Sequence, residues 1–300
     1  MLLPQKKHLP LTNKIALVTG ASRGVGKGIA LALGEAGATV YLTGRTLTAG
    51  DETVPLPGTL ADTALEVTRL GGKGIPCVCD HRQDDQVKAV FKRIEQEQGQ
   101  LDILVNNVWA GYESAHRRDG HPGPFWEQPI KQWDSMHNVG LRSHYVASTY
   151  AAPLMINRNG GLIVNISYYS ATVEPSGVCY PVAKLAADKM AVEMARELQA
   201  YGVACVSLWP GYVRTEGNID KGVCLTYTES PQFTGRAISA LAADPDILKK
   251  TGQILVVAEL AQEYSFDDVD GSRPQPVHQT EVGEYLDNER CEAVRKAMSI

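Results

Sequence analysis

Cysteine is scarce in this chain. Six residues in 300 are too few for the disulfide framework that staples a small secreted domain. Cys77 and Cys79 stand two apart in a strand-like run and point to one face, with no second pair to complete a metal-ligand spacing. Free thiols and no metal are expected. Long apolar runs are missing as well: none approaches the roughly 18 residues of a membrane span. The first ten residues hold only two consecutive leucines before prolines and lysines, not the apolar stretch of a secretory signal. A cytoplasmic location away from any membrane is therefore expected. Basic charge is not in excess either, since 29 Lys and Arg face 34 Asp and Glu for a net charge of −5. A general field attracting nucleic acid or anionic lipid is excluded.

What is present suits a globular protein with a sizeable core: 44% of residues are apolar and 21% charged. Short apolar runs at 15–19, 39–43, 75–79, 101–106, 162–166, 203–209 and 254–257 alternate with helix-length segments at 25–35, 60–70, 84–98, 132–152, 181–201 and 234–243. Strands apolar at nearly every position are buried on both faces, which marks a parallel sheet covered by helices. The repeated βα alternation predicts an α/β protein, a Rossmann-type doubly wound parallel sheet of about seven strands in a single domain. The expected organisation is an N-terminal extension at 1–13, a catalytic domain at 14–258 and a C-terminal extension at 259–300. Three stretches interrupt the pattern: a loop at 47–58 whose role is unreadable, a polar loop at 113–125, and residues 214–233. The last two follow strand ends, where ligands bind in this architecture; a substrate lid is expected at about 214–235.

After the first strand the chain reads Thr19-Gly20-Ala21-Ser22-Arg23-Gly24-Val25-Gly26, and a helix follows. Amide groups at a helix N-terminus form an anion site, and glycines let a pyrophosphate approach the backbone. Three glycines alone also suit a bare tight turn; the strand before and the helix after favour a dinucleotide. The second strand ends at Gly44-Arg45, where a carboxylate for the adenosine ribose would be expected. Arg45 and Arg23, with no acid, suit a 2′-phosphate. NADP(H) is expected as cofactor in preference to NAD(H). Asp80, after the third strand, is placed to accept from the adenine amino group or to cap the next helix.

The fifth strand ends at Ser167. Tyr180 and Lys184 lie one helical turn apart thirteen residues later. A tyrosine hydroxyl is ordinarily too weak an acid for neutral pH, but a nearby cation lowers its pKa. This assigns substrate positioning to Ser167, proton transfer to Tyr180 and electrostatic tuning to Lys184.

With these motifs in place, the chain from about Lys14 to Val257 resembles the short-chain dehydrogenase/reductase superfamily. The matching residues are Thr19-Gly20-x-x-x-Gly24-x-Gly26, Asp80, Asn106-Asn107, Asn138, Ser167, Tyr180-x-x-x-Lys184 and Pro210-Gly211. The resemblance implies that Lys184 also holds the nicotinamide ribose and that Asn138 anchors a water in a proton relay. It further implies cofactor contacts from Asn106, Val108, Pro210, Gly211, Val213 and Thr215, the last to the nicotinamide carboxamide. One departure stands at Val108-Trp109-Ala110-Gly111, where the superfamily usually has alanine and glycine directly after the paired asparagines. This variant, together with Ser-Leu-Trp-Pro-Gly and Asp268-Val269-Asp270-Gly271, is similar to the subgroup called dehydrogenase/reductase family member 1. Reduction of ketones, bulky or steroidal ones included, is implied by that kinship.

Trp109, Tyr112, Tyr168, Tyr169, Tyr212, Tyr227 and Phe233 fall after strand ends or in the expected lid, which suggests an apolar carbonyl pocket. Arg117, Arg118 and Arg214 lie nearby in sequence without forming a pair. The expected activity is hydride transfer between nicotinamide and a carbonyl or alcohol carbon. An epimerase, dehydratase or enoyl reductase on the same scaffold is the alternative, as is a non-catalytic nucleotide sensor. Broad apolar surfaces on the helices at 132–152 and 181–201 suggest pairing across a two-fold axis, as a homodimer or homotetramer.

Overall fold

Side-chain alternation along the strands sends successive residues to opposite faces, and both faces here are apolar. The strands are β1 (Ile15–Val18), β2 (Thr39–Gly44), β3 (Lys73–Val78), β4 (Ile103–Asn106), β5 (Gly161–Ile166), β6 (Val203–Trp209), β7 (Tyr212–Val213), β8 (Thr228–Glu229) and β9 (Ile254–Val256). In this computed structural model, residues 9–113, 124–169, 177–220, 228–276 and 296 are described. Seven strands form one parallel sheet in the order β3-β2-β1-β4-β5-β6-β9, and β7 pairs with β8 apart from it. The order reverses between β1 and β4, so the carboxyl ends of these strands open the crevice in which such sheets bind ligands.

The helices are α1 (Gly24–Glu35), α2 (Leu60–Arg69), α3 (Asp84–Gln98), α4 (Ile130–Asp134), α5 (Ser143–Ile156), α6 (Cys179–Leu198), α7 (Glu216–Asp220), α8 (Pro231–Ala243) and α9 (Val257–Tyr264). Ala16 and Val18 of β1 pack with α1, α2, α8 and α9 on one face. Ile15 and Leu17 of the same strand pack with α3, α5 and α6 on the other. Local chemistry sets the helix starts. Thr59 accepts from the Asp62 amide at 3.0 Å to cap α2, and Ser230 caps α8 ahead of Pro231 in its first turn.

Between α4 and α5 the chain does not leave the helix. Ser135–Arg142 is a π-helical stretch that joins them, so the helix expected at 132–152 exists but contains a widened segment. Such widening turns side chains away from the positions a regular α-helix would give them, with consequences at the site. The expected C-terminal helix within 281–300, most of the loop at 113–125 (with Arg117 and Arg118), and Tyr227 lie outside the described residues.

Candidate active site

A cavity of about 910 Å³ lies at the carboxyl ends of β1, β2, β4, β5 and β6. The β1–α1 turn forms one end. Gly20 there has φ +68°, and a Cβ on it would stand 2.8 Å from the Val108 Cα. A Cβ on Gly26 would stand 2.2 Å from the Gly20 carbonyl oxygen. The turn is thus a tightly packed cradle with no room for a side chain at either position. It is tied to β4 by Asn107, whose Nδ2 donates to the Thr19 and Gly20 carbonyls at 2.8 and 3.2 Å. Ser22, Arg23, Gly24 and Val25 line the same end. These residues fit a dinucleotide pyrophosphate.

Beside the cradle stands a cluster of guanidinium groups. Arg23 Nη2 donates to the Gly58 carbonyl at 3.1 Å and to Thr46 Oγ1 at 3.3 Å. Arg45 Nη2 donates to Thr53 Oγ1 at 2.6 Å and pairs with Glu113 at 2.6 Å. The loop at 47–58, unreadable in the sequence, therefore supports both arginines. A third, Arg82, pairs with Asp80 at 2.6 Å and with Glu113 at 3.4 Å. Burial works against ionisation of Asp80, but the Arg82 hydrogen bonds and the charges of Arg82 and Arg45 hold its carboxyl below the usual range.

Tyr180 and Lys184 come from the first turns of α6, and Ser167 from the end of β5; all three line the cavity. The Lys184 Nζ stands 5.5 Å from the centre of the Tyr180 ring and donates to the Ile166 carbonyl at 2.9 Å. Burial pushes the Lys184 ammonium down to about 8, while Asp188 counteracts the shift. The Ser167 hydroxyl donates to the Lys184 carbonyl at 3.0 Å, which joins the two elements. Trp109 packs edge-on against Tyr180 with ring centres 5.6 Å apart, and Tyr168 lies between Tyr180 and Tyr212.

Pro210, Gly211, Val213, Thr215 and Val108 line the cavity as expected, but two residues do not. Asn106 is fully buried, and its Nδ2 donates to Asn165 Oδ1 and Ser148 Oγ at 2.9 and 3.0 Å. Its amide nitrogen is committed inside the sheet, and Asn107 faces the cavity instead. Asn138 is exposed in the π-helical stretch and lines an adjoining cavity with Asp84 and Arg142, which shares Arg82, Ala110, Glu113 and Val139 with the first. Gly140 lies about half a turn away and is buried; a Cβ there would meet Trp109 Cδ1 at 3.0 Å. The indole thus occupies the inner side that Asn138 was expected to fill. Of the seven aromatic residues, Trp109, Tyr168 and Tyr212 form cavity wall. Tyr169 and Phe233 are buried in the core, Tyr169 against Trp209 and Phe233 inside α8. The Tyr112 side chain, like Tyr227, lies outside the described residues.

Sequence reasoning missed Arg82, Glu113, Glu216 and Glu229, and named Asn107 in a motif without giving it a role. Arg82 carried a weak signal, two residues after a strand-end aspartate. Glu229 carried none. It is buried, hydrogen-bonds the Gly211 backbone and accepts from Thr234 Oγ1 at 3.4 Å. Burial, reinforced by Asp268, pushes its carboxyl up to about 8 despite these bonds and the Arg214 charge. The folded state therefore holds a proton that the unfolded chain releases near its ordinary value of 4.5. That stabilisation is complete below about 4.5 and is lost as pH rises through 8. Asp188, raised to about 6 by burial, acts at lower pH, and His81 and His144 act below 6.5. Lys184 acts above about 8. Between pH 6.5 and 8 thermal melts should thus report Glu229: the wild type loses on the order of 1 kcal/mol, about 2 °C, and Glu229→Gln is nearly flat. An equal decline in the variant would remove the assignment.

The short-chain dehydrogenase family model matches residues 14–222, more than half of the chain. The chain belongs to the short-chain dehydrogenase/reductase superfamily, an oxidoreductase family whose members bind nicotinamide cofactors. Within it, the chain falls in the subgroup of dehydrogenase/reductase family member 1. It is 42% identical over 278 residues to dehydrogenase/reductase SDR family member 1 of Homo sapiens, covering 87% of this chain and 85% of that one. Its fold matches a crystal structure of a putative dehydrogenase from Xanthomonas campestris with TM-score 0.74 at 26% identity, over 89% and 97% of the two chains. A metagenomic short-chain oxidoreductase solved in complex with NADP matches with TM-score 0.64 at 28% identity, over 79% and 94%.

Proposed function

We propose that this chain is an NADP(H)-dependent oxidoreductase acting between a carbonyl and an alcohol, with an apolar ketone or aldehyde as substrate. The observation that carries this reading is the placement of Tyr180 beside Lys184 in the same cavity as the glycine cradle and the arginine cluster. Bound there, the nicotinamide supplies or accepts the hydride.

The chain's own residues manage the proton and the geometry. At neutral pH Lys184 remains largely protonated with a pKa near 8, and its field favours the Tyr180 phenolate. Tyr180 can then give a proton to the carbonyl oxygen or take one from the alcohol. Ser167 holds that oxygen, exchanging its present acceptor, the Lys184 carbonyl, for the substrate. Trp109, Tyr168, Tyr212 and Met136 supply apolar walls, which exclude water and suit an apolar substrate. No proton path through Asn138 is included, because that side chain is exposed and does not line the cavity that holds Tyr180 and Lys184.

For the cofactor, the absence of a carboxylate at Gly44 and the presence of Arg23, Arg45 and Arg82 support a 2′-phosphate. Gly44→Asp combined with Arg45→Ala is expected to shift preference toward NAD(H) by roughly 100-fold in the ratio of Kd values. Fluorescence titration with NADPH and NADH checks this, and an unchanged ratio would remove the phosphate assignment.

The reading includes a catalytic domain at 14–258, a cytoplasmic setting and a lid expected at about 214–235, of which 221–227 lie outside the described residues and 231–235 belong to α8, packed on α1. It also includes a homodimer or homotetramer, which exposed Tyr145 on α5 and exposed Val182 and Leu185 on α6 support. Light scattering that returns a monomer at micromolar concentration would contradict the assembly.

A further inference from the structure

Two carboxylates sit on the donors that a dinucleotide would use. The Gly24 amide, the first N–H of α1, donates to Glu216 Oε2 at 2.9 Å. Glu216 opens α7, directly after the loop carrying Tyr212 and Thr215, and Thr215 packs against the same glycine. At the other subsite, Glu113 Oε1 lies 2.6 Å from Arg45 Nη2 and Oε2 lies 3.4 Å from Arg82 Nη1. Glu113 ends a short 3-10 turn, Gly111–Glu113, just beyond Trp109.

An amide at a helix N-terminus and two guanidinium groups are the groups that recognise phosphate. A carboxylate and a phosphate cannot share one such donor without repulsion between like charges. We propose that Glu216 and Glu113 are competitors of the cofactor's phosphates: binding exchanges Glu216 for the pyrophosphate and Glu113 for the 2′-phosphate. The inference rests on the NADP(H) reading and adds to it the residues that set cofactor affinity and selectivity.

The exchange has a structural consequence on the substrate side. Asn218 Nδ2 of α7 donates to the Val213 carbonyl at 2.8 Å, so α7 is tied to β7 and to Tyr212. Releasing Glu216 from Gly24 removes one tether of the segment that carries this aromatic wall, which the pairing of β7 with β8 continues to hold. Freeing Glu113 likewise removes its carboxylate pairs with Arg45 and Arg82, while its amide stays bonded to the Ala110 carbonyl. The two carboxylates therefore link the phosphate subsites to the segments that carry Trp109 and Tyr212.

The two subsites separate in a titration. Glu216→Gln keeps the size of the side chain and removes its charge. It is expected to tighten NADPH and NADH alike, by roughly three- to tenfold, because both carry the pyrophosphate. Glu113→Gln is expected to tighten NADPH by roughly the same factor and NADH by less than about twofold, because only NADPH carries the 2′-phosphate. Fluorescence titration of the full chain and both variants with each dinucleotide gives the four ratios. Unchanged or weaker NADPH binding in both variants, with wild-type binding intact, would overturn the proposal and leave the NADP(H) reading standing. Tightening of both dinucleotides by Glu113→Gln would overturn its assignment to the 2′-phosphate. A wild-type chain that binds neither dinucleotide would sink the NADP(H) reading itself, and this proposal with it.

Discussion

Tyr180→Phe is expected to lower turnover by roughly 10³-fold while leaving the Kd for NADPH within about twofold. The substitution removes one oxygen and keeps the ring that packs against Trp109 and Tyr168. Its effect therefore falls on proton transfer, not on the shape of the cavity. Lys184 stays anchored to the Ile166 carbonyl, so the electrostatic setting of the site persists. Steady-state kinetics with NADPH and an apolar ketone, alongside a binding titration, separates the two quantities. A variant with wild-type turnover would show that some other group moves the proton. A variant that loses cofactor affinity in parallel would show that Tyr180 serves binding.

The second large effect concerns the fold that holds the cradle. Helices α1 and α8 meet through glycines. A Cβ on Gly28 would stand 2.2 Å from the Pro231 carbonyl carbon, and one on Gly235 would stand 2.6 Å from the Ala32 Cβ. The atom in the way at Gly28 is backbone, so no rotamer change relieves it. Gly28→Val is expected to cost about 3 kcal/mol or more of stability. It should also displace the start of α8, where Ser230 and its cap stand. Chemical denaturation checks the first effect through the midpoint at constant slope. A midpoint at the wild-type position would mean that the two helices separate easily, contrary to this packing.

The sheet was legible because its strands are apolar on both faces, a pattern that few other arrangements produce. The start of α2 after Thr59 follows from ordinary capping chemistry, whereas α8 begins at Pro231 behind its Ser230 cap, three residues before the expected start at 234. The chemical groups were legible where spacing is local: the glycine turn lies within one loop, and Tyr180 and Lys184 share one helix. Asn138 shows where this reasoning stops. Its sequence context gave no sign of the π-helical stretch, and one widened segment decides which side chain faces inward. Asn106 and Asn107 differ only in strand parity, and the inward one of the pair at the cavity is Asn107. Glu113, Glu216 and Glu229 depend on partners brought from distant parts of the chain. Gly24 and Glu216, for example, are 192 residues apart, and no local pattern announces such a contact. The aromatic rim shows the same limit: Trp109 and Tyr168 line the cavity, while Tyr169, adjacent in sequence, points into the core.

Hydride transfer to a carbonyl carbon is open to one direct measurement. The protein is incubated with an apolar ketone and NADPH deuterated at the transferred C4 position, and the product is read by mass spectrometry. The account predicts an alcohol carrying one deuterium on the former carbonyl carbon, formed by the wild type and nearly absent with Tyr180→Phe. A reduced product without deuterium, or equal labelled product from both proteins, would contradict it.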